Sequence, residues 1–76
     1  MEYEKLKRII SEQLNVPANS LTKSMSFVSD IGADSLALLE LQIALCREFD
    51  IDISDEAMKN IKTIGDAYNC VMSLIV

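Results

Sequence analysis

The sequence predicts an all-α protein: a small four-helix bundle with a long loop between helices 1 and 2 and a short third helix. Three observations carry this expectation. Apolar residues recur at spacings of three and four through most of the chain. Two glycines and one proline in 76 residues are too few turn formers for a β fold. Half of the residues are hydrophobic but only 5% are aromatic, with no Trp, so the core must be aliphatic.

The first helix is read over residues 2–15, from the helical spacing of Tyr3, Leu6, Ile9, Ile10 and Leu14. Asn15 to Ser20 ends it, because Pro17 cannot continue the hydrogen-bond ladder. Residues 16–34 form a long connection whose apolar anchors are Val16, Leu21, Met25, Phe27, Val28 and Ile31. Those anchors are expected to dock on the helices, with a short helical turn among them. Helix 2 is read from Ser35 to Phe49, with Ser35 as N-cap and Asp34 placed to favour the helix dipole. After the loop Asp50-Ile51-Asp52-Ile53, Ser54 caps a short helix over Asp55–Asn60. Thr63-Ile64-Gly65-Asp66 has the spacing of a capping box for helix 4, with Asp in place of Glu. Helix 4 presents Ile64, Ala67, Tyr68, Val71, Leu74 and Ile75 on one broad face. The length fits one domain over residues 1–76.

Composition removes several classes of function. The net charge of −5 argues against a nucleic-acid binder, whose affinity comes from neutralising phosphates. The absence of His excludes His-based triads and His-rich metal sites. Cys46 and Cys70 are too few for a disulfide framework or a closed zinc site, and they read as small buried hydrophobes. Asp50, Asp52 and Ser54 imitate the start of a calcium loop, but Asp55 and Ile61 stand where Gly and Glu would be required. No metal site and no catalytic residue is therefore expected. The charged start, Met1–Lys7, is unlike a secretion signal, and no stretch is apolar enough to span a membrane, so a cytoplasmic monomer is expected.

The acids are concentrated. Residues 1–23 carry four bases and three acids, whereas 24–76 carry three bases and nine acids. Between 30 and 56 there are eight acids against Arg47 alone. Such a field can be a plain solvated face or a docking surface for basic partners. Helix 2 adds a second signal. Leu38, Leu41, Leu45 and Phe49 make one apolar stripe, enough to seat the helix. Leu36, Leu39, Ile43 and Cys46 make a second stripe, flanked by Glu40 and Arg47. The connection 16–34 could cover that stripe; otherwise it meets a ligand or a partner.

The segment Asp30-Ile31-Gly32-Ala33-Asp34-Ser35-Leu36 resembles the phosphopantetheine attachment motif of acyl carrier proteins. The resemblance runs on through Leu41, Ala44-Leu45, Glu48-Phe49, Ile53 and Asp55-Glu56 to Ile61-Lys62-Thr63-Ile64-Gly65-Asp66-Ala67. Upstream, Leu14-Asn15-Val16 and Ser26-Phe27 also match that family, so it covers essentially the whole chain. It implies a non-catalytic shuttle in fatty acid, polyketide or related lipid synthesis. Ser35 would carry 4′-phosphopantetheine, and Asp34 would serve recognition by the phosphopantetheinyl transferase. Leu36, Leu39, Glu40, Ile43, Arg47 and Glu48 would meet acyl-chain synthesis and transfer enzymes through their basic docking surfaces. The acyl chain itself would be the cargo.

The chain departs from the family at Ala37, Cys46 and Arg47, which stand at positions often acidic there. That leaves open whether the carrier serves general or dedicated enzymes. A peptidyl or aminoacyl carrier, which usually shows Gly-Gly where this chain has Gly32-Ala33, and an unmodified interaction module of the same fold remain as alternatives.

Overall fold

A computed structural model describes residues Glu2–Ile75. Four α-helices follow in order: α1 Glu2–Leu14, α2 Ser35–Phe49, α3 Asp55–Lys59 and α4 Ile64–Ile75. A single 3₁₀ turn, Ala18–Ser20, lies in the long connection, as the sequence led us to expect.

The helix ends follow local chemistry. α1 stops at Leu14 because Asn15 takes the left-handed conformation (φ 60°), and the Val16 N–H turns back to the Ser11 carbonyl. α2 ends the same way, with Asp50 at φ 54° and the Ile51 N–H on the Cys46 carbonyl. Asn and Asp tolerate this conformation better than most side chains, so neither stop needs glycine. The Ser54 side chain caps α3 by accepting from the Ala57 N–H. At α4 the Asp66 carboxylate accepts from the N–H groups of Lys62 and Thr63, while Thr63 Oγ1 accepts from the Asp66 N–H. This reciprocal pair is the expected capping box.

The long connection is ordered by backbone pairing with the segment before and at the start of α4. Phe27 donates to the Lys62 carbonyl, Ile64 to Met25 and Gly65 to Lys23. A Cβ on Gly65 would come within 3.1 Å of the Lys23 carbonyl oxygen, a tight contact that favours glycine there. Leu21 and Phe27 enter the core, and Val16, Met25 and Ile31 pack against it. Val28 does not dock: it is 63% exposed, on a turn that points it away from the bundle.

The core is aliphatic apart from Phe27. α1 contributes Leu6, Ile9 and Ile10; α2 contributes Leu41, Ala44 and Leu45; α4 contributes Ile64, Ala67 and Val71. Ile53 joins them, and no polar or charged residue is buried among the described residues. α1 packs most extensively on α2. Of the broad face expected on α4, Leu74 and Ile75 lie beyond the core and are about 40% exposed, because the bundle ends before the helix does.

Candidate functional site

Ser35 is the first residue of α2, and it is exposed. The N-cap is Asp34, not Ser35. The Asp34 carboxylate accepts from the Ala37 N–H at 2.9 Å, and its carbonyl takes the Leu38 N–H at 3.0 Å. The physical reason is conformational: Asp34 has extended backbone, with ψ near 180°, whereas Ser35 is already helical. The correction frees the serine. Its hydroxyl is not needed to hold the helix, and it stands beside backbone N–H groups that favour an anion.

The approach to Ser35 is also fixed locally. Gly32 has φ +81° and sits in open space. The Asp30 carboxylate accepts from the Ser26 N–H, and the Ala33 N–H reaches the Phe27 carbonyl at 2.8 Å. These bonds hold the turn that delivers Asp34 and Ser35 to the helix start.

Beside Ser35 runs a groove of about 240 Å³ between α2 and α3, whose walls include Leu38, Leu39, Met58 and Ile61. Gln42 braces it by donating to the Ile53 carbonyl at 2.8 Å and to Asp55 Oδ1 at 3.3 Å. The sequence reading missed this groove and the residues of α3 that line it. The only sequence signal was the shortness of helix 3, which leaves one side of α2 thinly covered.

The second stripe of α2 is not covered by the connection. Leu36 is 63% exposed, and Leu39 and Ile43 are each 49% exposed. Cys46 does not belong with them. It is half-buried against the core, and its sulfur accepts from the Ile53 N–H. By helical periodicity Leu36, Glu40, Ile43 and Arg47 fall within about 60° of one another, so they share one line along the helix. Glu40, Ile43, Ala44 and Arg47 line a shallow groove with Gln13 of α1. Glu48 stands apart from that line, about 100° from Arg47, and its backbone carbonyl accepts from Lys5 Nζ at 2.7 Å.

Neither cysteine makes a reactive centre. Both are free and half-buried, and burial pushes the Cys70 thiol up, with Cys46 nearby adding to the effect. Among the described residues, no three acidic or thiol side chains gather as metal ligands, and no helix is long and apolar enough to cross a membrane.

A helix that presents a free serine at its start, beside an open groove, is the form of a carrier domain, and residues 4–71 match the phosphopantetheine attachment site family. The chain is 42% identical to an acyl carrier protein of Clostridium acetobutylicum over 93% of its own length and 92% of the relative's. It is 45% identical to an acyl carrier protein of Picosynechococcus, covering 91% of this chain and 85% of that one. A solved structure from Mycobacterium tuberculosis, assigned as an acyl carrier protein, superposes with a TM-score of 0.91 at 37% identity, over 96% of this chain and 97% of that one. The chain belongs to the acyl carrier protein family.

Proposed function

We propose that residues 1–76 form one carrier domain whose Ser35 bears the phosphopantetheine group. The observation that supports this most directly is the division of labour at the start of α2: Asp34 caps the helix and Ser35 is left exposed beside the groove. Ser35 Oγ would form the new P–O bond to the phosphopantetheinyl group of coenzyme A. The pyrophosphate bond breaks, adenosine 3′,5′-bisphosphate leaves, and the hydroxyl proton passes to the transferase. A chain without His needs no base of its own for this step, because the transferase supplies it. The bound arm supplies a thiol on which acyl groups are held as thioesters.

The residues present suit this role. The open groove leaves room beside Ser35, and its apolar walls can shelter methylenes. Asp34 is the acid nearest the modified residue in sequence and is read as the transferase's recognition point. The exposed line of Leu36, Glu40, Ile43 and Arg47, with Leu39 beside it and Glu48 on the adjoining side of the helix, is read as the face for synthesis and transfer enzymes. The protein is then a shuttle and not a catalyst, working as a monomer on acyl intermediates of fatty acid or related lipid synthesis. Two free thiols accord with a reducing, cytoplasmic setting.

The test is the mass of the purified protein after incubation with coenzyme A and a broad-specificity phosphopantetheinyl transferase. One phosphopantetheinyl addition, located on Ser35, is expected. No addition would identify an unmodified module of the same fold.

A further inference from the structure

The groove beside Ser35 continues beyond the part that Ser35 lines. A further part of about 400 Å³ reaches Phe27 and Val28, and it shares Leu38, Met58, Lys59 and Ile61 with the first. The two parts therefore adjoin along these side chains. Charges along this cleft are unevenly placed. Asp55 lines the part near Ser35, with Gln42 against its carboxylate. The far part is lined by two cations, Lys59 and Lys62, and by no acid.

In a chain of net charge −5, an acid-free rim of two lysines stands out. Three acids stand around it, each already engaged. Lys59 meets Glu56 at 3.8 Å with both side chains largely exposed, a pair that holds it weakly. Asp30 on the neighbouring loop is turned to the Ser26 N–H. Asp66 accepts from the Lys62 and Thr63 amides and lies in the field of Lys62, so it offsets part of that charge without closing the rim.

Resting on Ser35 as the attachment point, we infer that this cleft favours acyl cargo ending in a carboxylate. Leu38, Met58 and Ile61 take the methylenes, and Lys62 in the far part, with Lys59 where the two parts meet, receives the charge. A carboxylate against an apolar wall needs a cationic or hydrogen-bonding partner, and the two lysines provide one. Along the acid-rich segment from Asp30 to Glu56 the same carboxylate would be repelled. A methyl-ended chain of equal length gains nothing from the rim.

The experiment loads the full chain, through a broad transferase, with either the hexanoyl or the 5-carboxypentanoyl group from the corresponding acyl-coenzyme A. The readout is the rate of thioester cleavage by hydroxylamine, each divided by the rate for the free acyl-coenzyme A. The carboxylate-ended cargo is expected to be protected about two- to five-fold more than hexanoyl, the range for partly exposed ion pairs. The Lys59→Gln/Lys62→Gln double variant, with both changes at exposed positions, is expected to fold normally and lose that preference, as is the native chain at high salt. Equal protection of both cargoes, or a preference that survives the double variant, overturns this inference alone. A chain that takes no acyl-phosphopantetheine at all overturns the attachment reading, and this inference with it.

Discussion

Asp34 and Ser35 are adjacent, but the structure gives them separable duties, and three substitutions expose the difference. Ser35→Ala removes a hydroxyl that does not cap the helix, at an exposed position inside its first turn. Its stability change should fall within about 0.5 kcal/mol, which is about 2–4 °C of melting temperature for a domain of this size. Asp34→Ala removes the oxygen that accepts from the Ala37 N–H. The loss should be about 1 kcal/mol, within the 0.5–2 kcal/mol of lost caps, or about 4–8 °C. Asp34→Asn keeps an acceptor oxygen and loses only the charge, so it should melt between the native chain and Asp34→Ala. Loading by the transferase should follow another order. Ser35→Ala takes no phosphopantetheine, and both Asp34 variants load more slowly than the native chain despite their different stabilities. Thermal melts followed by circular dichroism, with mass spectrometry of loading time courses, measure both quantities. A Ser35→Ala protein that melts 4–8 °C low would show that Ser35 holds the helix and that the cap is misassigned. An Asp34→Asn protein loaded at the native rate would show that the transferase does not read this charge.

Three further outcomes are expected. Ile43→Ala, at a half-exposed position outside the core, should cost less than about 1 kcal/mol of stability and weaken binding to an acyl-transfer enzyme; Arg47→Glu should speed association with basic partner surfaces, and a buried-type loss of ~2–5 kcal/mol at Ile43 with unchanged affinity would sink the docking face. The melting temperature should rise between low and moderate salt, because the eight acids from Asp30 to Glu56 face only Arg47 within that segment and screening acts over ~10 Å at 0.1 M; a flat profile in circular-dichroism melts would contradict this. Asp66 is held below its ordinary value of 3.8, chiefly by the Lys62 and Thr63 amides, so its folded form favours the carboxylate. Its stabilisation is present above that value and fades as pH falls through the lowered one, so the advantage of the native chain over Asp66→Asn in urea melts should shrink below pH 3.8.

The capping signals were legible because they act within one turn of chain. Ser54 and the Thr63–Asp66 pair lie next to the amides they satisfy, so spacing alone places them. The extent of α2 was legible for the same reason, since its apolar period begins and ends sharply at Ser35 and Phe49. Local chemistry also misled at one point. Asp34 and Ser35 are both good cap residues, and which one caps depends on where the chain leaves the extended conformation. The turn from Ser26 to Ala33 decides that, through the Asp30–Ser26 and Ala33–Phe27 bonds.

By itself, the sequence determined the helical class, the order and approximate ends of the helices, the aliphatic core and the motif around Ser35. Only the tertiary structure decided that Val28 faces solvent while Phe27 is buried, and that Leu36, Leu39 and Ile43 stay exposed while Cys46, placed on the same stripe, is half-buried against the core. It also decided that Lys59 and Lys62 share the rim of a cleft that starts at Ser35. The physical reason is range. Caps and amphipathic period are set by neighbours a few residues apart, whereas burial and cleft walls arise where segments distant in sequence meet, as when Phe27 pairs with Lys62 and Gly65 lies against Lys23.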